Sequence, residues 1–348
     1  MPHNVLLKKL QHYGIRGSIL KWFESYLTDR TQSTKYGNQM SCPAQTSVGL
    51  PQGSVLGPLL FNIFINDLGN ISQVMKFIKF CDDSTMYLKD KDVNNLIYTA
   101  NCELHKLYDW VLANRLTINT DKTVVMLFTP RKISNIPMLF IKNSTTYDVI
   151  KRVKSTKFLG VNYDEHLTFK QHISALSGKM SKLAGMFYSL RWILPKDILK
   201  LIYNAHVNSL LNYNTPIWCC NYPNNIKPLI ILQKKILRNI TKSDFLAHTK
   251  PLFKQCKILS LEDINKLFMG TAYFKHLEKY MEPLRRNHQQ NTRRFHELRP
   301  LQHRLRLVGN SFIIHGPNNY NSIPLEIKVS RSLYSFKRTF KKYLISLY

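Results

Sequence analysis

Two adjacent carboxylates, Asp82 and Asp83, lie between two β-prone runs, and this stretch constrains the fold more than any other. The runs cover residues 73–80 (QVMKFIKF) and 84–88 (STMYL), and they predict two strands with the acidic pair at the bend. Neighbouring side chains of a regular strand point to opposite faces, so such carboxylates converge on one cation only where a tight turn interrupts the strand. The sequence therefore predicts a hairpin whose tip is either an ordinary polar turn or a metal site.

The charge of the chain is strongly positive and unevenly distributed. The formal charge of +29 arises from 50 Lys and Arg residues against 21 Asp and Glu residues. Residues 1–150 contain 16 basic and 11 acidic residues, whereas residues 151–348 contain 34 basic and 10 acidic residues. Because such an excess attracts phosphate backbones through counterion release, it predicts a nucleic-acid partner for the second half. A solvated basic surface and an anionic membrane face are the alternatives.

Cysteine usage and hydropathy indicate an intracellular protein, nuclear or cytoplasmic, that is neither secreted nor membrane-spanning. Six cysteines are scattered without CxxC spacing, and no run approaches the ~18 apolar residues of a membrane helix. The N-terminal residues lack the cationic and apolar segments of a secretory signal. The adjacent Cys219 and Cys220 are interpreted as buried thiols near Trp218, with a metal or redox site as the alternative.

The first half of the chain mixes helical and β-prone segments, which predicts an α+β fold. We expect helices over residues 3–13, 18–27 with Ser18 as N-cap, 56–67 and 92–114. We expect a hairpin within residues 31–48 that turns at Gly37-Asn38, and strands within residues 116–128, 137–150 and 156–163. A loop with Gly49, Pro51 and Gly53 precedes the third helix, and Gly53 would let a base or sugar approach the backbone.

The second half is predicted to be mainly helical. Apolar periodicity predicts helices over residues 168–191, 196–212, 226–241, 260–280 and 332–347, and a short strand and turn over 312–317. Seven arginines make residues 285–306 a basic stretch. Near the first two helices, basic residues alternate with Phe187, Tyr188, Trp192 and Tyr203. This mixture suits a nucleic-acid backbone, although aromatic residues packed in a core explain it equally well.

Four motifs in a fixed order resemble the reverse transcriptases of non-LTR (LINE-like) retrotransposons. They are, in chain order, PQGS, FCDD, LTINTDKT and KFLGVNYDEHLTFKQHI. The opening LLKKLQHYGIRGSILKWFESYLTDRTQ and the closing GPNNYNSIPLEIKVSRSLYSFKRTFKKYL are also typical of these elements, so the resemblance covers nearly the whole chain.

The resemblance implies roles for individual residues. Asp82 and Asp83 correspond to the metal-binding aspartates of the palm, and Cys81 stands where Ala is usual, a small-for-small change from which we expect little effect. The other correspondences are as follows. Pro51, Gln52, Gly53 and Ser54 match the loop against template and incoming nucleotide, Asn119 and Lys122 match the next nucleotide-site motif, and Phe158, Leu159 and Gly160 match the hairpin that holds the primer end. Asp164 and His172 also match the family pattern.

The family's chemistry is nucleotidyl transfer with Mg²⁺, for which carboxylate oxygens are suitable ligands. The resemblance implies an RNA template, an RNA–DNA duplex and deoxynucleotides as partners, and no membrane. A third metal-binding aspartate of the family, in a pattern like D-x-x-K-A-F-D, has no counterpart in this sequence. We therefore expect a truncated reverse transcriptase with two of three metal carboxylates and little activity alone.

These observations predict three domains. Residues 1–165 are expected to form a partial reverse-transcriptase palm, an antiparallel sheet with helices that includes both hairpins; residues 166–245 an all-α thumb; and residues 246–348 a basic C-terminal region. An RNA-directed DNA polymerase fragment is the favoured function. A noncatalytic RNA- or DNA-binding protein derived from a retrotransposon is the alternative, and a group II intron maturase is a more distant one.

Overall fold

The computed structural model divides into two compact units, which are described separately. Unit 1 comprises residues 1–127 and 131–153, and unit 2 comprises residues 128–130 and 154–348. The structure describes residues 1–129, 133, 135–143, 146–220, 223–276, 298, 302, 309 and 311–348. The basic stretch predicted over 285–306 lies almost wholly outside the described residues.

Within its described residues, unit 1 combines four α-helices with short strand pairs. Its helices are α1 (His3–His12), α2 (Gly17–Leu27), α3 (Leu56–Phe64) and α4 (Val93–Ala113), and a 3₁₀-helix of two turns, Asn66–Ile71, follows α3. Its strands are β1 (Thr31–Gln32), β2 (Lys35–Tyr36), β3 (Gln39–Met40), β4 (Ala44–Gln45), β5 (Lys76–Phe80), β6 (Asp83–Tyr87), β7 (Val124–Val125), β8 (Phe140–Asn143), β9 (Thr146–Val149) and β10 (Lys151–Arg152). The predicted mixture of helices and small antiparallel sheets, an α+β fold, is confirmed.

The described strands of unit 1 pair two by two rather than as one sheet. The pairs β1–β4, β2–β3, β5–β6 and β8–β9 are antiparallel, whereas β7–β10 is parallel. The predicted turn at Gly37-Asn38 is the connection of β2 to β3, since Tyr36 pairs with Gln39. Short pairs of this kind depend on helices for support, because an isolated two-stranded hairpin is only marginally stable in water.

Unit 1 has two apolar clusters, of which the second supports strands. One joins α1, α2 and α3 through Leu6, Leu10, Leu27, Leu60 and Phe64. The other packs the buried face of α4 against residues of β5, β6 and β8. Trp110 of α4 contacts both clusters, so unit 1 has a continuous interior. The side chain of Asp92 accepts a hydrogen bond from the Asn95 N–H at 2.8 Å and caps the start of α4.

Unit 2 is mainly helical and begins with one hairpin. Its elements are β11 (Ser155–Phe158), β12 (Val161–Asp164), α5 (Lys170–Leu190), α6 (Lys196–Ile202), a π-helical segment (Tyr203–Asn208), α7 (Ser209–Asn212), α8 (Thr215–Trp218), α9 (Pro223–Thr241), α10 (Thr249–Cys256), α11 (Leu261–Lys275), α12 (Phe312–Asn321), α13 (Leu325–Lys328) and α14 (Leu333–Ser346). One apolar core runs through all of these helices, from Val161 to Leu344.

This core divides the chain differently from the three domains expected from the sequence. The hairpin β11–β12 belongs to unit 2 although residues 1–165 were predicted to form one domain. The region after residue 245 is not separate either, because Phe253, Phe336 and Phe340 share the core with Leu176 and Leu229. As predicted, Cys219 and Cys220 are buried beside the buried Trp218.

Several local predictions were wrong. Residues 312–317 form the start of α12 instead of a strand and turn. Gly316 is needed there for close packing, because a Cβ at this position would lie 2.0 Å from the Tyr273 ring of α11. Ser18 lies inside α2, whose N-cap position is Arg16. Residues 119–123 form a turn before β7 rather than a strand, and α10 was not predicted.

None of the helices in the part of the chain that the structure describes has both the length and the apolar character needed to cross a membrane.

Candidate functional site

The acidic pair lies at a two-residue hairpin tip, as predicted. Strands β5 and β6 pair in register from Lys76 with Tyr87 to Phe80 with Asp83, which leaves Cys81 and Asp82 as the turn. Cys81 has a φ of 53°, a left-handed value of the kind that primed hairpin turns require. Asp82 and Asp83 are both exposed to solvent. The turn thus interrupts the strand alternation at the two carboxylates, as a shared cation would require.

The hairpin has two different faces. Phe77 and Met86, a cross-strand pair, pack against the α4 cluster. The opposite face carries Ile78, Phe80 and Tyr87, which are exposed large hydrophobic residues. Phe80 and Asp83 are directly opposite each other, and in an antiparallel pair such side chains share a face. One carboxylate therefore lies at the end of an exposed apolar surface.

Two lysines that the sequence analysis did not single out bind the C-terminal end of α3, Lys79 from this hairpin and Lys9 from α1. Lys79 Nζ donates to the carbonyl oxygens of Ile65 and Asn66 at 3.1 and 3.0 Å. Lys9 Nζ donates to the Phe64 carbonyl at 2.6 Å and lies 2.7 Å from Asp67 Oδ1. Cations are favourable at the C-terminal end of a helix, where carbonyls lack partners. The alternation of residues 76–80 could have identified Lys79, because it places this lysine on the inward face of the strand together with Phe77.

The predicted template loop lies at the other end of α3. The Ser54 N–H donates to the Pro51 carbonyl at 3.3 Å, and Ser54 Oγ accepts from the Gly57 N–H at 3.0 Å. Ser54 therefore caps the start of α3, while Gln52 and Gly53 are exposed and Gly53 has a φ of 81°. Since α3 has nine residues, the loop and the Lys79 contacts are separated by roughly 13 Å along the helix.

The third predicted element is a side-chain-capped turn. The Lys122 N–H donates to Asn119 Oδ1 at 3.1 Å, and the Thr123 N–H donates to the Asn119 carbonyl. Asn119 therefore shapes the turn, and the Lys122 side chain is exposed. Leu116, just before the turn, packs in both apolar clusters of unit 1.

The acidic hairpin tip, the 51–54 loop and the 119–123 turn thus all belong to unit 1 and adjoin residues of its apolar clusters. Among the described residues, no hydrogen bond joins the 51–54 loop or Lys122 to Asp82 or Asp83.

The predicted primer-end hairpin belongs to unit 2, where its tip is held firmly. Phe158 pairs with Val161, and the two turn residues Leu159 and Gly160 have φ values of 43° and 80°. The Tyr213 hydroxyl donates to the Leu159 carbonyl at 2.6 Å. A Cβ on Gly160 would lie 3.0 Å from the Tyr213 ring, so the ring packs directly on the turn.

Asp164 of β12 and His172 of α5 both make structural contacts at this hairpin. The Asp164 carboxylate accepts hydrogen bonds from the backbone N–H groups of His166, Thr168 and Phe169, which orders the approach to α5. His172 is buried, and the Asn162 N–H points to its Nδ1 at 3.4 Å. Burial lowers the pKa of His172, and the nearby Lys179 ammonium lowers it further.

The acidic pair can offer a divalent cation two neighbouring carboxylate groups. Mg²⁺ in proteins commonly uses one or two carboxylates and completes its shell with water and substrate phosphates, so the donor chemistry fits. No cluster of three or more His, Cys, Asp or Glu side chains suited to a metal occurs within the described ranges.

Comparisons with known proteins agree with the motif analysis. Residues 1–163 match the family profile described as "Reverse transcriptase (RNA-dependent DNA polymerase)". The chain is 25% identical over 315 residues to the "Probable RNA-directed DNA polymerase from transposon BS" of Drosophila melanogaster, covering 84% of this chain and 33% of that protein. It is also 25% identical over 256 residues to the "RNA-directed DNA polymerase from mobile element jockey" of the same species, covering 69% of this chain and 27% of that protein.

The chain spans about a third of the length of the curated relatives it matches. A similar match, 24% identical over 272 residues, is to the "Probable RNA-directed DNA polymerase from transposon X-element" of Drosophila melanogaster and covers 75% of this chain. The resemblance predicted from the four motifs is confirmed: the chain is similar to the reverse transcriptases of LINE-like, non-LTR retrotransposons, and residues 1–163 are the part that matches the reverse-transcriptase profile.

Proposed function

We propose that this chain is part of an RNA-directed DNA polymerase that extends a DNA primer on an RNA template. The observation that carries the proposal is the exposed Asp82-Asp83 pair at a two-residue hairpin tip, within a segment that matches the reverse transcriptase family. The proposed partners are an RNA template, an RNA–DNA duplex and deoxynucleotides, and the proposed location is intracellular. We propose the three segments expected from the sequence as functional segments and not as separate compact units: a partial palm over residues 1–165, a thumb over 166–245 and a basic region over 246–348.

In this proposal, the carboxylates of Asp82 and Asp83 hold Mg²⁺ beside the reacting groups. Bound Mg²⁺ would supply activation of the primer 3′-hydroxyl and neutralisation of the leaving pyrophosphate. Asp82 is proposed as the main ligand and Asp83 as the auxiliary one. The hydrogen bonds of Lys79 to the end of α3 would help to hold both carboxylates in place, and catalytic groups must be held precisely.

The other predicted site residues bind and orient the nucleic acid in the proposal. Pro51, Gln52, Gly53 and Ser54 would contact template and nucleotide, and the exposed Gln52 amide can both donate and accept hydrogen bonds. Lys122 would pair with nucleotide phosphates from the turn that Asn119 shapes. Phe158, Leu159 and Gly160 would support the primer end, and the Tyr213 hydrogen bond gives that hairpin a fixed tip.

Metal binding is the sharpest test of the proposed roles of Asp82 and Asp83. Mn²⁺, which has the same ligand preference, is titrated against the wild-type chain and followed by electron paramagnetic resonance. We expect Asp82→Asn to weaken binding at least about 10-fold and Asp83→Asn to weaken it less, because each replaces a charged ligand by a neutral amide. Asp109→Asn, at an exposed carboxylate on α4, is the matched control and should bind Mn²⁺ as the wild type does.

Primer extension on an RNA template with Mg²⁺ tests the reaction itself. We expect Asp82→Asn to extend the primer less than the wild-type chain does, because it replaces the main proposed metal ligand by a neutral amide. Equal Mn²⁺ affinity of the wild type and both active-site variants would overturn the metal assignment. Extension that Asp82→Asn leaves unchanged would overturn the catalytic proposal.

A noncatalytic nucleic-acid-binding protein is the second candidate, favoured by the charge of residues 151–348. Its binding would fall steeply with salt and would not respond to Asp82→Asn. A filter-binding salt titration of the wild type and Asp82→Asn measures both properties, and an affinity independent of salt would argue against this candidate.

A further inference from the structure

Aromatic and cationic side chains meet where the end of α5 lies beside the end of α9. This group, here named the Trp192 cluster, consists of the exposed Tyr188, Trp192 and Lys242 and the half-buried Arg191. The Arg191 guanidinium carbon lies 4.5 Å from the centre of the Tyr188 ring and 4.8 Å from that of the Trp192 ring. Lys242 Nζ lies 5.8 Å from the Trp192 ring. These distances are those of cation–π contacts, so the two cations are held at the rings.

Core packing does not explain these two rings. Phe187 and Tyr203, the other aromatic residues of this region, are completely buried in the core of unit 2. Tyr188 and Trp192 instead remain 57% and 67% exposed. From the sequence, core packing and nucleic-acid contact were alternative explanations for these four aromatic residues. In the structure, two of the four are buried in the core and two are exposed to solvent.

The surrounding segment is strongly cationic. Residues 182–250 contain ten Lys and Arg residues and two Asp residues, a formal charge of +8. Arg191 also donates to the Asn239 side chain at 3.5 Å, which links the cluster to α9. The two rings therefore lie at the end of α5, which packs against α9, within a segment whose positive charge attracts anions.

We propose that the Trp192 cluster binds an unpaired stretch of nucleic acid, with one base stacked on Trp192 and adjacent phosphates paired with Arg191 and Lys242. Unpaired bases expose the flat faces that aromatic rings and guanidinium groups stack on, whereas the bases of a duplex already stack on each other. Insertion into a bilayer fits less well, because it would draw Arg191 and Lys242 out of water together with the rings. The proposal shares its partner class with the proposed polymerase and adds a separate single-strand site in unit 2.

Fluorescence anisotropy with labelled RNA tests the stacking. The probes are a single-stranded oligouridine of about 12 nucleotides and a blunt-ended RNA duplex of the same length, at one fixed salt concentration. We expect Trp192→Ala to weaken single-strand binding about 5- to 100-fold and duplex binding less than about twofold. Trp192→Phe should keep most of the single-strand affinity, because it retains a ring.

The controls separate stacking from unfolding and from catalysis. Trp22→Ala removes a ring that is 53% exposed in unit 1 and should leave single-strand binding unchanged. The assay contains neither nucleotide nor divalent metal and so does not depend on the polymerase reaction; failure of the polymerase proposal would not alter the result. Unchanged single-strand affinity of Trp192→Ala, or equal losses for single strand and duplex, would overturn the proposal. Trp192-dependent binding to phosphatidylserine vesicles, with RNA binding unaffected, would overturn it in favour of a membrane.

Discussion

The hairpins β5–β6 and β11–β12 both turn on two residues, but their tips have different surroundings. Cys81 and Asp82 form the first turn, with Asp82 and Asp83 exposed to solvent. Leu159 and Gly160 form the second turn, which the Tyr213 ring covers and the Tyr213 hydroxyl binds. Lys79 of strand β5 binds the first hairpin to the end of α3, whereas Tyr213 binds the second hairpin at its turn.

The two hairpins illustrate two ways to hold a functional loop: support from residues behind an exposed tip, and direct packing on the tip itself. A tip that must offer carboxylates to a cation has to stay accessible, so its support must come from residues behind it. A tip that serves as a fixed surface can be packed directly. The substitutions below should therefore have large effects on the stability of the packed tip and small effects on that of the open one.

Gly160→Ala should be the most damaging change to either hairpin. The new Cβ would meet the Tyr213 ring at 3.0 Å, and a φ of 80° is unfavourable for alanine. We expect the free energy of unfolding of unit 2 to fall by about 1–3 kcal/mol. Chemical denaturation followed by labelling of the buried Cys219 and Cys220 thiols reports on unit 2 specifically.

Gly185→Ala is the matched control for this prediction. Gly185 lies inside α5 without a positive φ, and a Cβ added there would meet no atom within 4 Å. Alanine should therefore stabilise unit 2 by up to about 1 kcal/mol. Equal effects of the two substitutions would show that the Tyr213 packing contributes little to the hairpin tip.

Cys81→Gly should have a smaller effect of the opposite sign. Cys81 has a φ of 53°, where a Cβ is unfavourable, so glycine should stabilise the hairpin by up to about 1 kcal/mol. Amide hydrogen exchange of β5 and β6 measures this. Cys42→Gly, at another exposed cysteine of unit 1 without a positive φ, should give no such protection. Faster exchange in Cys81→Gly would contradict the left-handed turn.

His172 should give unit 2 a modest pH dependence. Because burial lowers the pKa of folded His172 below the ordinary 6.5, the unfolded chain takes up a proton first as the pH falls. The stability of unit 2 should therefore be complete above about pH 7.5 and should decline as the pH falls through about 6.5 towards the folded-state pKa. Urea unfolding followed by circular dichroism from pH 8 to pH 5 measures this decline.

His172→Gln should be less stable at pH 8 but should lose most of that decline. His166→Gln, at an exposed histidine in the loop just before α5, should retain the decline. An identical pH profile for His172→Gln and the wild type would assign the decline to other groups.

Much of the fold could be predicted because its signals are local. The alternation around Asp82 and Asp83 predicted β5 and β6, and apolar periodicity predicted α4, α5, α9 and α14. The order of the four motifs also predicted the reverse-transcriptase relationship that the comparisons confirm. The roles of the individual site residues remain predictions.

Other features could not be predicted because distant residues decide them. Gly316 and Pro317 resemble a turn in sequence, but packing of Tyr273 on Gly316 favours a helix.

By itself, the sequence determined the positions of most helices and strands, the acidic hairpin tip and the family, since these depend on periodicity, turn chemistry and residue identity. Only the tertiary structure decided that β11–β12 belongs with the helical unit, which of four aromatic residues face solvent, and how Lys79 holds the acidic hairpin. The physical reason is that burial and close contact depend on residues far apart in the chain, which no local pattern records.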